Sequence, residues 1–174
     1  QHEELFLVDT TDKKLIKVSV EKWPDQTLRL FTPGEKVNSL YFLRKKRTCD
    51  EIDFCKVDLK TGEVKVLINE ISKPYFNNDF FHLSLLNEGK DIIWWSERTG
   101  HGHFYHYDGE GNLKNAITSG NWTAGKMVKI DTVGRTIYFG AYGQEKGACP
   151  YYAWVNKARI DGNGQVEVLT PEQA

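Results

Sequence analysis

The 174 residues are 40% hydrophobic and 13% aromatic, enough to bury the core of an ordinary domain and too apolar for a disordered chain. The formal charge is −1 with both signs interspersed, so no basic stripe offers itself to nucleic acid. No apolar run approaches the roughly 18 residues of a membrane span, and the acidic start, Gln1 to Phe6, does not read as a signal peptide.

In chain order, residues 5–20 (LFLVDTTDKKLIKVSV) read as two strands joined by a turn that follows an aspartate. A weaker strand is expected at 27–31 (TLRLF) and a clear one at 37–43 (VNSLYFL). Residues 52–68 (IDFCKVDLKTGEVKVLI) repeat the strand–Asp–turn–strand pattern. Strands at 80–86 (FFHLSLL) and 91–97 (DIIWWSE) come next, then a third hairpin at 104–118 (FYHYDGEGNLKNAIT). Strands at 126–131 (KMVKID) and 135–141 (RTIYFGA) precede a fourth hairpin at 155–170 (VNKARIDGNGQVEVLT). The glycines and Pro150 of 140–152 predict a long loop, of the kind that carries interaction surfaces. No stretch sustains a 3.6-residue period with caps, so little helix is expected.

The four hairpins are anchored by Asp9, Asp58, Asp108 and Asp161, separated by 49, 50 and 53 residues. A step of about 50 residues is the length of a four-stranded propeller blade. The expected fold is all-β: a partial β-propeller of about three to four four-stranded antiparallel blades, with residues 1–174 a fragment of a single propeller domain. Inner strands of a blade are covered on both faces and should be apolar throughout, as Ile92-Ile93-Trp94-Trp95 and Ile137-Tyr138-Phe139 are. Outer strands should alternate, as 63–67 and 165–169 do. End blades of such a fragment would expose apolar faces, which predicts dimer contacts through blade edges or disorder at the ends.

Cys49, Cys55 and Cys149 form no CxxC pair, and a spacing of six is not a usual zinc spacing. Unpaired, mostly buried thiols are expected, with a Cys49–Cys55 disulfide as the alternative. His101, His103 and His106 suggest a metal only superficially, because on a strand His106 points away from the other two. No metal and no cofactor are assigned. Trp94, Trp95, Trp122 and Trp154 with nearby carboxylates would suit a sugar cleft, yet adjacent Trp94 and Trp95 must face opposite sides of a strand, as core residues do. Asn121-Trp122-Thr123 is a formal glycosylation sequon.

The string Ser96-Glu97-Arg98-Thr99-Gly100, followed by His103, Tyr105, Tyr107 and Asp108, resembles the N-terminal propeller of dipeptidyl peptidase IV-like serine peptidases, in the prolyl oligopeptidase family. Ile117-Thr118-Ser119-Gly120 and Trp122 continue the likeness, which is densest over 92–122. By residue chemistry the motif is architectural: Gly100 suits a tight turn, and Asp108 can accept backbone N–H bonds in the next one. The resemblance implies a propeller that caps an α/β-hydrolase domain, restricts access to it and helps hold a peptide substrate. The whole enzyme would remove dipeptides from peptide N-termini, preferring Pro or Ala at the second position. It also implies a periplasmic, secreted or membrane-anchored location.

None of Ser19, Ser39, Ser72, Ser84, Ser96 and Ser119 sits in the G-x-S-x-G elbow that holds such a nucleophile, so no catalytic residue is assigned to this chain. No segment resembles the family's paired-glutamate stretch that binds the substrate amine. Phe76, in the segment 74–78 (PYFNN), lies where relatives bring an aromatic toward the substrate cavity; its flanking residues depart from the family pattern, and a loop aromatic packed under a blade is the alternative. The reading is a non-catalytic gating fragment whose partners are the missing hydrolase domain and remaining blades. The alternative is a free-standing propeller-type ligand- or protein-binding module.

Overall fold

The computed structural model describes residues 3–31, 39–144, 149 and 151–170. Residues 37–38 of one expected strand, five residues of the 140–152 loop and the chain end from Pro171 lie outside them. The chain divides into two compact units, 1–76 and 77–174.

The first unit holds β1 (Leu5–Val8), β2 (Leu15–Val18), β3 (Gln26–Phe31), β4 (Leu40–Lys46), β5 (Glu51–Val57) and β6 (Val64–Ile71). β1 and β2 form a two-stranded antiparallel sheet, and β3 to β6 a four-stranded meander. Val18, Val20, Phe42, Cys55 and Val57 make the apolar core between the two sheets, flanked by Leu5, Leu7, Leu28, Leu40 and Val64. Phe54 points the other way, stacked on Tyr41 at 5.7 Å and edge-on to Phe31 at 6.0 Å. The outer face of the β1–β2 hairpin leaves Phe6, Val8 and Leu15 exposed.

The second unit holds β7 (Leu83–Leu86), β8 (Asp91–Ser96), β9 (His103–Asp108), β10 (Leu113–Ala116), β11 (Thr123–Asp131), β12 (Thr136–Tyr142), β13 (Trp154–Arg159) and β14 (Glu167–Val168). They form two four-stranded antiparallel meanders, β7–β10 and β11–β14. Ile93, Trp95, Phe104 and Ile117 from the first sheet pack with Ala124, Ile137, Phe139, Ala141, Ala158 and Ile160. Among the described residues the only helical element is a 3-10 turn at Asn87–Gly89.

Four details correct the sequence reading. β8 is buried along its whole length, but β12 alternates: Ile137, Phe139 and Ala141 are buried while Tyr138 is half-exposed. Its second face has no covering sheet in this unit. β6, expected to alternate, does not, because a bulge opposite Phe54 and Cys55 inserts Leu67 as an extra residue. Beyond it Leu67 and Ile68 are both buried while Val66 is exposed. Of 165–169, only Glu167–Val168 forms a strand, and both residues are exposed. The thiols are free, but only Cys55 is buried; Cys49 is half-buried and Cys149 exposed, because both lie in turns outside the strands.

Candidate functional site: the Ser96–Trp122 motif and its surroundings

The motif begins where β8 ends. Ser96 is buried, and its Oγ accepts the backbone N–H of Arg98 at 3.1 Å and the Arg98 Nε–H at 3.0 Å. This closes the turn and lays the Arg98 guanidinium over Tyr105, 4.3 Å from the ring centre, and near Tyr107 at 5.7 Å. Glu97 supplies the carbonyl that accepts the Gly100 N–H at 2.8 Å, and Gly100 takes φ +90°, a value side-chain-bearing residues rarely adopt.

His103 starts β9 and is buried with both ring nitrogens engaged. Nε2 lies 3.0 Å from the Gly120 carbonyl, which can only accept, so this nitrogen carries the proton. Nδ1 then accepts the Thr118 hydroxyl at 3.1 Å, and that hydroxyl oxygen in turn accepts the Phe104 N–H at 3.0 Å. Burial favours the neutral ring and moves the His103 pKa below its ordinary value, against the Gly120 hydrogen bond. Trp122 stands edge-on to His103 at 5.0 Å and stacks on Phe139 at 6.1 Å, which carries the motif across to the next sheet. His103 is therefore a committed hydrogen-bonding hub with no nitrogen free to take a proton from a substrate.

Asp108 closes the motif. Its Oδ1 accepts the Glu110 and Asn112 backbone N–H groups, each at 2.9 Å, and its Oδ2 accepts the Asn112 amide. The Asn112 bonds, first side chain and then backbone, hold its pKa below the ordinary carboxylate value. Asp9 and Asp58 organise their turns in the same way. Asp161 does not follow them: its carboxylate pairs with Arg135 instead.

Phe76 is 5% exposed, and its N–H bonds the Cys49 carbonyl at 2.8 Å. The exposed ring of that loop belongs to Tyr75, 64% exposed. Trp94 and Trp95 are at most 1% exposed, so neither offers a face to a sugar. Among the described residues no group of three or more His, Cys, Asp or Glu side chains could hold a metal.

Two charged clusters carry no local sequence signature. In the second unit, Asp91 accepts from buried His106 at 2.6 Å and from Arg135 at 3.1 Å, while Asn115 donates to the Ile160 and Gly162 carbonyls at 2.9 and 3.0 Å. The Arg135 and Asn115 bonds join the sheets β7–β10 and β11–β14. In the first unit, fully buried Asp53 accepts from Arg44 at 2.9 Å, Lys22 at 2.9 Å and Asn69 at 2.7 Å. Burial alone would raise the Asp53 pKa, but the bonds from Asn69, Lys22 and Arg44 outweigh it and lower the value. Their members are 16 to 47 residues apart or lie on different strands, so only the fold assembles them.

Comparison with known proteins agrees with this architecture. The family described as dipeptidyl peptidase IV (DPP IV) N-terminal region matches residues 2–174. The crystal structure of Porphyromonas gingivalis dipeptidyl peptidase 4 superposes with a TM-score of 0.79 at 24% identity, over 97% of this chain and 23% of that one. A Bacteroides ovatus protein described as a dipeptidyl aminopeptidase IV gives 0.66 at 18% identity, over 91% of this chain and 24% of that one. TolB from Acinetobacter baumannii gives 0.50 at 21% identity, over 97% of this chain and 38% of that one. The chain thus spans about a quarter of the length of the two peptidases it resembles. Its fold is a partial β-propeller: the four-stranded sheets are blades, and β1–β2 is a two-stranded sheet whose Asp9 turn is organised like the Asp58 turn. The chain belongs to the family of dipeptidyl peptidase IV N-terminal regions.

Proposed function

We propose that the chain is a non-catalytic part of the gating propeller of a serine-type dipeptidyl peptidase. The observation that carries this is the family match over residues 2–174 in a chain whose six serines include none in a G-x-S-x-G elbow. The engaged nitrogens of His103 support the reading, since the motif's most conspicuous titratable group is spent on structure. In this reading a hydrolase domain elsewhere in the parent does the chemistry. The blades restrict its access to short peptides with a free N-terminus, and the parent works in the periplasm, at the membrane or outside the cell.

The test compares this chain with its longest native reading frame on a Gly-Pro chromogenic substrate. Turnover is expected from the long form and none from this chain. Turnover by this chain that survives repurification would overturn the proposal.

A further inference from the structure

One face of the sheet β11–β14 is covered by β7–β10, and the other is open within its unit. Cross-strand register puts Lys129, Asp131, Thr136, Tyr138, Lys157, Arg159 and Glu167 on the open face. This is a different surface from the same face of the preceding sheet, where buried Ile93, Trp95, Phe104 and His106 meet β11–β14. The open face carries three cations and two carboxylates. Both are engaged: Glu167 is paired with Lys157 at 3.0 Å, and Asp131 accepts the Val133 and Gly134 N–H groups of its own turn at 3.1 and 2.9 Å. Among the described residues Lys129 and Arg159 have no ion pair. A hollow of about 490 Å³ opens here, lined by Thr136, Tyr138, Lys157, Arg159, Gln165 and Glu167.

The covered seam shows how such sheets join. There the later sheet supplies the arginine, Arg135, and the earlier one the carboxylate, Asp91. On the open face the earlier sheet already holds the arginine, so an incoming surface must bring the acid. An arginine fork next to an ammonium group suits a carboxylate, and it costs free energy to cover with apolar surface alone.

We propose that this face seats a further sheet of the same polypeptide, one that inserts an Asp or Glu into the hollow to pair with Arg159. The proposal rests on the reading that the chain is part of a longer protein: the chain covers only 23% of the P. gingivalis peptidase structure. It adds the chemistry of the join. Cation complementarity favours this occupant over a second copy of the chain, whose own exposed hairpin face offers Phe6, Val8 and Leu15.

The test is thiol labelling in the longest native reading frame, with Cys49 and Cys149 replaced by serine. A seam probe, Val155→Cys, is compared with Val133→Cys, whose native side chain is 96% exposed. The seam probe should label at least about tenfold more slowly, as protected sites do. Adding Arg159→Glu should speed it about threefold or more, and Arg159→Lys should restore slow labelling, because the charge alone is kept. Raising the salt should speed labelling with Arg159 present and leave the Arg159→Gln form unchanged. Equal labelling of the two probes would show an uncovered face and overturn the proposal. So would slow labelling indifferent to Arg159→Glu, or protection lost on dilution, which would put a second copy there. Hydrogen exchange of β12 and β13 reads the same contrast if a cysteine variant folds poorly. None of these readouts depends on peptidase activity, so gating can fail while the seam stands, and the reverse.

Discussion

Trp95 donates its indole N–H to the carbonyl of Ala124, 2.7 Å away, and so bonds β8 of one blade to β11 of the next through a fully buried contact. Trp95→Phe keeps an aromatic ring and strands the Ala124 carbonyl. We expect a loss of about 1–3 kcal/mol, seen as a lower denaturant midpoint at unchanged slope. An unchanged midpoint would mean that the bond adds nothing beyond packing.

Gly102 sits against the same indole. A Cβ there would come within 2.1 Å of Trp95 Cζ2, so Gly102→Ala must push a buried tryptophan aside. Gly100, two residues earlier, has open space around it and only its φ of +90° to defend. Overpacking typically costs about 1–3 kcal/mol, whereas an L-residue in a left-handed conformation costs about 1–2 kcal/mol. Thermal unfolding should therefore rank Gly102→Ala below Gly100→Ala, with a change in Trp fluorescence for the former only. The reverse order would contradict the packing described.

Acid should loosen the seam between β7–β10 and β11–β14. Burial alone would raise the Asp91 pKa, but bonds from His106, Arg135 and Asn87 outweigh it and hold it at about 2, against 3.8 for a free carboxyl. A carboxyl depressed in the folded state stabilises it above its unfolded pKa and loses that contribution as pH falls toward the folded value. Roughly 2 kcal/mol is then at stake, intact above about pH 4 and gone near pH 2. Unfolding free energy measured across that window should fall more steeply for the native chain than for Asp91→Asn. Parallel slopes would refute the assignment.

The thiols should separate by accessibility. Burial pushes the Cys55 pKa up to about 12, so it is both hidden and protonated at neutral pH. A thiol reagent should modify exposed Cys149 promptly in the native protein and reach Cys55 only on denaturation. Native-state modification of Cys55 at the rate of Cys149 would show that β5 opens far more readily than its buried position implies.

The Asp-turn spacing made the hairpins legible because a turn is encoded within a few residues, and Asp58 and Asp108 still bind the N–H groups that follow them. Burial was less legible. Ile92-Ile93-Trp94-Trp95 and Ile137-Tyr138-Phe139 look alike as strings, but whether a second sheet covers a strand is decided by distant parts of the chain, and Tyr138 is left half-exposed. The bulge at Leu67 broke an alternation that the residues themselves display. The Asp53–Arg44 and Asp91–Arg135 pairs were not legible, because nothing local distinguishes a charge that will be buried from one that will be solvated. Within the motif, the turn roles of Gly100 and Asp108 were readable, and the double engagement of His103 was not.

Every strand in the four sheets pairs only with its neighbours in sequence. Each blade can therefore close its ladders between strands adjacent in sequence, at a small loop-closure cost, before the next blade has left the ribosome. A chain built this way acquires order as a vector, and within the second unit the finished sheet β7–β10 becomes the template on which β11–β14 condenses.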